Sequence, residues 1–318
     1  MSGPLLLLDS ASLYFRAYYG VPESITAPDG SPVNAVRGFT DMVSRLITER
    51  RPDRLVACLD LDWRPAFRVK AIPSYKAHRV AEGTEPAEGS AEAVPDTLSP
   101  QVPIILEVLA AAGLATGGAV GYEADDVIGT LCASEATDPV EVVSGDRDLL
   151  QVVREQPTPI RVVYAGRGLA KAEVFGPVEL AAKYRVPAGR AGAAYAEMAM
   201  LRGDPSDGLP GVAGVGEKTA ASVISKFDSW SELLGAVLDR SDTRLTAAVR
   251  SKLAASGDYL GVVEHVVRVA VDAPVKLDRS DLLPTEPADP GKLAELGERW
   301  GLGGAIDRLT TALALPRS

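Results

Sequence analysis

Cysteine and histidine are nearly absent. Two Cys (Cys58, Cys132) and two His (His78, His265) occur among 318 residues. Two cysteines cannot make a disulfide framework, and no Cys pair has zinc-site spacing. Two histidines leave little room for His-ligated metals or a serine–histidine triad. Long apolar runs are missing too. The opening run Pro4-Leu5-Leu6-Leu7-Leu8 stops at Asp9, too short for a signal peptide, and the uncharged stretch 108–122 is glycine-broken and shorter than a membrane span. The expectation is a cytoplasmic chain. A basic excess is also lacking: 33 Lys and Arg face 43 Asp and Glu, for a net charge of -10. Spread evenly, that balance would argue against a generic nucleic-acid binder. What is present is an ordinary globular composition, 46% hydrophobic and 24% charged, long enough for one large domain or two modest ones.

Leu5-Leu6-Leu7-Leu8-Asp9 predicts a buried strand ending in a carboxylate. Residues 55–60 predict a second strand ending in Asp60, residues 140–143 a third followed by Ser144-Gly145-Asp146-Arg147-Asp148, and residues 160–164 a fourth. Helical spacing covers 38–49, 103–112 and 127–136, the last opened by Glu123-Ala124-Asp125-Asp126, whose acids suit the positive end of the helix dipole. Residues 80–101 are rich in Ala, Glu, Gly, Ser and Pro, and read as mobile. Strands alternating with helices imply a parallel sheet that gathers ligands at its carboxyl edge, where Asp9, Asp60 and Asp146 fall. After about Lys171 the texture becomes helical and Ala-rich. The expected division is an α/β core over 1–170 with an arch at about 72–101, a helical subdomain over 171–272, and a linker with C-terminal helices over 273–318.

Nine acids form five clusters: Asp9; Asp60; Glu123, Asp125 and Asp126; Asp146 and Asp148; Asp204 and Asp207. Taking these nine from the 43 leaves 34, against 33 bases, so the acidity of the chain is close to the acidity of one site. Such carboxylates repel unless cations lie between them, and hard Mg²⁺ or Mn²⁺ takes oxygen ligands. Each cluster alone reads as a turn or helix cap; five in one α/β chain point to a metal site.

Two further features are cationic or glycine-rich. Arg68, Tyr75, Lys76 and Arg79 closely follow Asp60; Lys76 and Arg79, three apart, would share a helix face and hold a phosphate, with Tyr75 stacking a base. The run Leu209-Pro210-Gly211-Val212-Ala213-Gly214-Val215-Gly216-Glu217-Lys218-Thr219-Ala220 is not a P-loop, because Glu217 separates Gly216 from Lys218 and no strand precedes it. It fits a hairpin between helices, where Gly214, Gly216 and Lys218 approach DNA phosphates without reading bases.

Together these residues resemble the 5′ nuclease, or flap endonuclease, family, in particular the nuclease domain of bacterial DNA polymerase I and its stand-alone relatives. The matching motifs are Leu8-Asp9-Ser10 with Arg16; Asp60 with Phe67-Arg68; Tyr75-Lys76-Ala77-His78-Arg79; Tyr122 to Asp126; Ser144 to Gln151; and Gly203-Asp204-Pro205-Ser206-Asp207-Gly208 continuing into the glycine run. The resemblance implies a PIN-like parallel-sheet core with a helical arch and a helix–three-turn–helix DNA-binding subdomain. It implies a structure-specific 5′ flap endonuclease and 5′-3′ exonuclease that leaves 5′-phosphate and 3′-hydroxyl ends, in DNA repair and RNA primer removal. Asp9, Asp60, Glu123 and Asp125 would surround one metal, and Asp126, Asp146, Asp148, Asp204 and Asp207 a second or third. Lys76, Arg79, Asp125 and Asp148 would be catalytic. Arg16, Arg68, Tyr75, Lys76, Arg79, Gly214, Gly216, Lys218 and Thr219 would meet DNA carrying flaps, nicks or junctions, RNA primers included. By analogy with similar hairpins, the carbonyls of Pro210, Val212 and Val215 would hold K⁺. The resemblance further implies a nucleoid-associated monomer, and Gly208 stands where the family usually has Asn. A PIN-type ribonuclease and a non-catalytic junction binder are the rival readings.

Overall fold

The computed structural model describes residues 3–80 and 92–316. The chain runs β1 (Leu5–Asp9), α1 (Ser10–Gly20), α2 (Asn34–Arg50), β2 (Arg54–Cys58), α3 (Ala66–Ala71), α4 (Gln101–Ala112), β3 (Ala115–Gly118), α5 (Ala124–Ser134), β4 (Val140–Ser144), β5 (Ile160–Tyr164) and β6 (Glu173–Phe175). A helical stretch follows: α6 (Pro177–Tyr184), α7 (Ala191–Arg202), α8 (Glu217–Ile224), α9 (Trp230–Leu238), α10 (Ala247–Ala255), α11 (Gly257–Val262) and α12 (Glu264–Val267). The chain then returns through β7 (Lys276–Leu277), α13 (Pro290–Trp300) and α14 (Gly303–Leu313).

Among the described residues the strands form one sheet in the order β6-β5-β4-β1-β2-β3-β7, parallel from β5 to β3 and antiparallel at both edges. The strand order reverses beside β1, the place where such sheets open a crevice at their carboxyl ends. Leu5 to Leu8 are all buried because helices cover both faces. Leu5 and Leu7 join one core with α5 and the helical stretch; Leu6 and Leu8 join the other with α1, α2, α4, α13 and α14. The first core runs without a break from the sheet into Val215, Ile224, Trp230, Leu253 and Leu260.

Several expectations need correction. The second strand ends at Cys58, so Asp60 stands two residues beyond it. The fifth helix begins at Ala124 rather than Val127: Asp126 Oδ2 accepts from Glu123 N (3.2 Å), and Glu123 O accepts from Asp126 N (3.1 Å) and Val127 N (3.2 Å). Strands β3, β6 and β7 escaped prediction: β3 is Ala-Thr-Gly-Gly, with Thr116 its one strand-forming side chain, and β6 and β7 have three and two residues. The helix predicted over 38–49 gains its first turn because Gln101, from the start of α4, accepts the N–H groups of Ala35 (2.8 Å) and Val36 (3.3 Å). Of the arch expected at about 72–101, residues 81–91 lie outside the described residues. The returning flank is packed rather than mobile: Leu98 is fully buried, Tyr18 Oη meets Thr97 Oγ1 at 2.7 Å, and Ala93 N donates to Arg79 O at 2.8 Å.

Candidate active site

Asp9 ends β1 and caps α1, its carboxylate accepting from Ser12 N (3.2 Å) and from the buried Ser144 hydroxyl (2.5 Å) at the end of β4. Ser144 Oγ in turn accepts from Asp146 N (2.8 Å), and Asp146 Oδ1 accepts from Asp148 N (2.9 Å). One serine thus ties the two neighbouring strand ends together and turns the 146–148 acids toward Asp9. Asp60 is held by Ala124 N at 2.6 Å, the first residue of α5.

The charges then interact. Burial lifts the Asp125 carboxyl well above its usual range, and Asp9, Asp146 and Glu123 lift it further. Asp148 is also raised well above its usual range, first by burial, then by Asp146, Asp207 and Asp204. Asp9 is raised by burial, with Asp146 adding to it. Asp60 keeps an open face to water, yet the surrounding protein together with Glu123 and Asp9 still pushes it up. By these influences the acids group into two lobes, Asp9, Asp60, Glu123 and Asp125 in one and Asp148, Asp204 and Asp207 in the other, with Asp146 affecting both and Glu123 also reaching Asp207. Lys76 is felt by members of both lobes.

Glu123 is the exception. Burial would raise its pKa, but Lys76 and Arg68 outweigh burial and hold the carboxyl below its usual range. It accepts from Lys76 Nζ (2.5 Å), Tyr75 Oη (2.8 Å) and Arg68 Nη1. Asp126, with no exposed surface, takes a two-pronged bond from Arg68 (2.8 and 2.7 Å) and also the N–H groups of Glu123 (3.2 Å) and Ala270 (2.8 Å). Arg68 is 2% exposed and Tyr75 3%. Both had been expected at DNA; burial removes them from that surface and makes them supports for the acids. Asp126, expected as a ligand, has both oxygens engaged by protein donors.

Lys76 and Arg79 do not share a helix face. Ala77–Arg79 is one turn of 3-10 helix, and Lys76 before it is left-handed (φ 48°). The two side chains diverge, Lys76 to Glu123 and Arg79 to Asp207 Oδ1 (2.7 Å) and Ser206 O (2.8 Å). Gly208 locks this turn in place: its carbonyl accepts from Ser74 Oγ (2.8 Å), Lys76 N donates to Asp207 O (3.0 Å), and a Cβ at Gly208 would overlap the Ser74 carbonyl oxygen. Asp204 accepts from Ser206 N (2.8 Å) and lies across a groove of about 410 Å³ from Asp146 and Asp148.

The repulsion among the acids is thus partly offset by Lys76, Arg68, Arg79 and Ser144. Among the described residues, no three His, Cys, Asp or Glu side chains stand close enough to hold one ion as they are. The donor set is nevertheless all carboxylate oxygen; burial first, and neighbouring acids after it, raise Asp9, Asp60, Asp125, Asp148 and Asp207, and such oxygens suit a hard divalent cation.

Arg16, half-buried on α1, lies against Gly145, and its Nε has no hydrogen-bond partner among the described residues. In the glycine hairpin Gly211 and Gly214 adopt positive φ (67° and 70°), which Gly tolerates without strain, and Val215 N donates to Val212 O at 2.9 Å. Gly214, Gly216 and Lys218 are exposed and Thr219 half-buried at the start of α8. Pro210, exposed, precedes them, and Val215 is buried. Lys252 Nζ on α10 donates to Gly214 O at 2.9 Å, a contact with no signal in the sequence. Ser144 and Gln151 were visible within a motif but carried no assigned role. Tyr14, whose phenol is raised by burial and by Asp60, Glu92 and Asp9, was missed as a neighbour of the acids.

Residues 4–185 match the family model for the 5′-3′ exonuclease N-terminal resolvase-like domain, and residues 191–290 that for the 5′-3′ exonuclease C-terminal SAM fold. A 5′-3′ exonuclease of Mycobacterium tuberculosis is 58% identical over 314 residues, covering 98% of each chain. DNA polymerase I of the same organism is 38% identical over an alignment that covers 95% of this chain but 34% of the polymerase. Among solved structures, the T5 D15 flap endonuclease in complex with DNA and metal ions matches at TM-score 0.62 with 16% identity, over 98% of this chain and 97% of that one; this likeness bears on the fold. The chain belongs to the 5′-3′ exonuclease family and is a nuclease, a hydrolase. Its α/β, PIN-like architecture follows the expectation, and among the described residues no helix is long and apolar enough to cross a membrane.

Proposed function

We propose that the chain hydrolyses DNA at 5′ flaps, nicks and single-strand/duplex junctions, and degrades 5′ ends including RNA primers, leaving 5′-phosphate and 3′-hydroxyl ends. The observation that carries the reading is the pair of acid lobes with Lys76 facing both. Two or three Mg²⁺ or Mn²⁺ ions, held by Asp9, Asp60, Asp125, Asp146, Asp148, Asp204 and Asp207 with Glu123 beside them, would supply Lewis-acid charge and an ionisable water. Lys76 serves as the cationic donor to the phosphate where the lobes meet, and Arg79 and Arg16 hold flanking phosphates. Arg68, Tyr75 and Asp126 keep Glu123 and α5 in place. Gly214, Gly216, Lys218 and Thr219 grip duplex backbone, with K⁺ on the carbonyls of Pro210, Val212 and Val215. The division at 170 and 272, a cytoplasmic, nucleoid-associated location and a monomeric state belong to the same proposal.

The test is a 5′-labelled flap duplex, and a linear RNA of equal length, incubated with Mn²⁺ or with EDTA and the products sized. Cleavage at the flap junction, dependent on Mn²⁺ and sparing the RNA, is expected. Preference for the RNA would make this a PIN-type ribonuclease, and tight flap binding without cleavage a junction binder.

A further inference from the structure

The last turn of α12 and the irregular chain after it, residues 266–273, make an unusual set of bonds. The carbonyls at a helix C-terminus need partners from outside the helix. Here they come from segments more than 100 residues away in sequence. Val266 O accepts from Arg68 Nε (2.9 Å), and Val267 O accepts from Gln151 Nε2 (3.0 Å). Past the helix, Val269 N donates to Gln151 Oε1 (3.0 Å) and Ala270 N to Asp126 Oδ1 (2.8 Å). Thr130 Oγ1 completes the strap, donating to Ala270 O (3.3 Å) and accepting from Ala273 N (3.0 Å).

Two of these partners also hold the acid turns. The Arg68 guanidinium is the two-pronged partner of Asp126 and a partner of Glu123. Gln151 Nε2 donates to the backbone carbonyl of Asp148 (2.9 Å) as well as to Val267 O. One acid lobe is therefore tied to the strap through Arg68, and the other through Gln151.

We propose that Arg68 and Gln151 are positioning residues that fix the separation of the two acid lobes by bonding the 123–126 and 146–148 turns to one shared support, the chain from Val266 to Ala270. This rests on the metal-nuclease reading, since it concerns the spacing that cations would need. Groups that orient metal-binding carboxylates typically change metal affinity by about 10–100-fold when replaced. Lysine cannot reproduce the planar fork that spans Glu123 and Asp126, and methionine keeps the length of Gln151 without its amide. Thr130 offers the control, because it bonds the same strap but neither acid turn.

The experiment titrates Mn²⁺ by calorimetry into the metal-stripped full chain and its Arg68→Lys, Gln151→Met and Thr130→Val variants. Flap-DNA affinity in EDTA and thermal melting are measured alongside. Mn²⁺ affinity should fall about 10-fold or more in Arg68→Lys and in Gln151→Met, with DNA affinity in EDTA within about 2-fold of wild type. Thr130→Val should melt lower yet keep wild-type Mn²⁺ affinity. If Arg68→Lys does not fold, Gln151→Met alone decides. Wild-type Mn²⁺ affinity in Gln151→Met overturns this inference, and so does an equal loss in Thr130→Val. A wild-type protein that binds no Mn²⁺ overturns the nuclease-metal reading along with it.

Discussion

Replacing Lys76 by Ala tests the reading at the point where the lobes meet. The backbone term nearly cancels, because Ala meets the same strain as Lys at φ 48°. Glu123 loses one of three donors but keeps Arg68 and Tyr75, so the stability cost should be about 1–2 kcal/mol, that of one charged hydrogen bond removed from a site that stays partly satisfied. The catalytic cost should be larger. Losing one preorganised donor to a developing oxyanion typically costs about 3–4 kcal/mol, or roughly 10²–10³ in rate. Docking should change little, since the 15% exposed Lys76 side chain adds almost nothing to the surface offered to duplex. Single-turnover cleavage of a labelled flap in Mn²⁺ measures the first effect and fluorescence anisotropy in EDTA the second. A rate restored at saturating enzyme, with all the loss in affinity, would refute the argument and leave Lys76 as a docking contact.

Three other perturbations have defined outcomes. Asp148→Asn should abolish cleavage while flap binding in EDTA is kept or strengthened, as a gel-shift titration would show; undiminished cleavage would remove Asp148 from the mechanism. Gly208→Asn introduces a residue that tolerates the positive φ of 71°, yet its Cβ would overlap the Ser74 carbonyl. It should cost about 1–3 kcal/mol in urea denaturation and slow cleavage by displacing Lys76; a neutral result would mean the 74–76 turn yields freely. Glu135 offers a pH test away from the site. Burial would raise its pKa, but the N–H groups of Asp138 and Thr137 and the Arg54 guanidinium bring it below 4.5. A depressed carboxylate stabilises the fold above about pH 4.5, and that contribution is lost as pH falls through the folded value. Glu135→Gln should therefore be less stable at pH 7 and show a shallower loss below pH 4.5; parallel curves for the two proteins would contradict the assignment.

The sequence by itself determined the elements whose signal is local. Leu5 to Asp9 read as a strand buried on both faces, and Glu123 to Asp126 as acids in the first turn of a helix. The acid inventory was equally legible, because carboxylates clustered at strand ends are a chemical pattern before they are a geometric one. Tertiary structure alone decided which acids remain available. Asp126 reads like Asp125 in sequence, yet the rotation of about 100° between adjacent helix residues points it inward to Arg68 and Ala270 N, while Asp125 is felt by Asp9 and Asp146. Arg68 and Lys76 both read as cations for phosphate, but only Lys76 stands between the lobes, and Arg68 is sealed in the interior. The support that residues 266–270 give both acid turns joins positions more than 100 residues apart, through backbone groups that every residue type offers alike. Patterns of side-chain chemistry are written along the chain. The partner of a backbone carbonyl is not, and it is fixed only when distant segments pack.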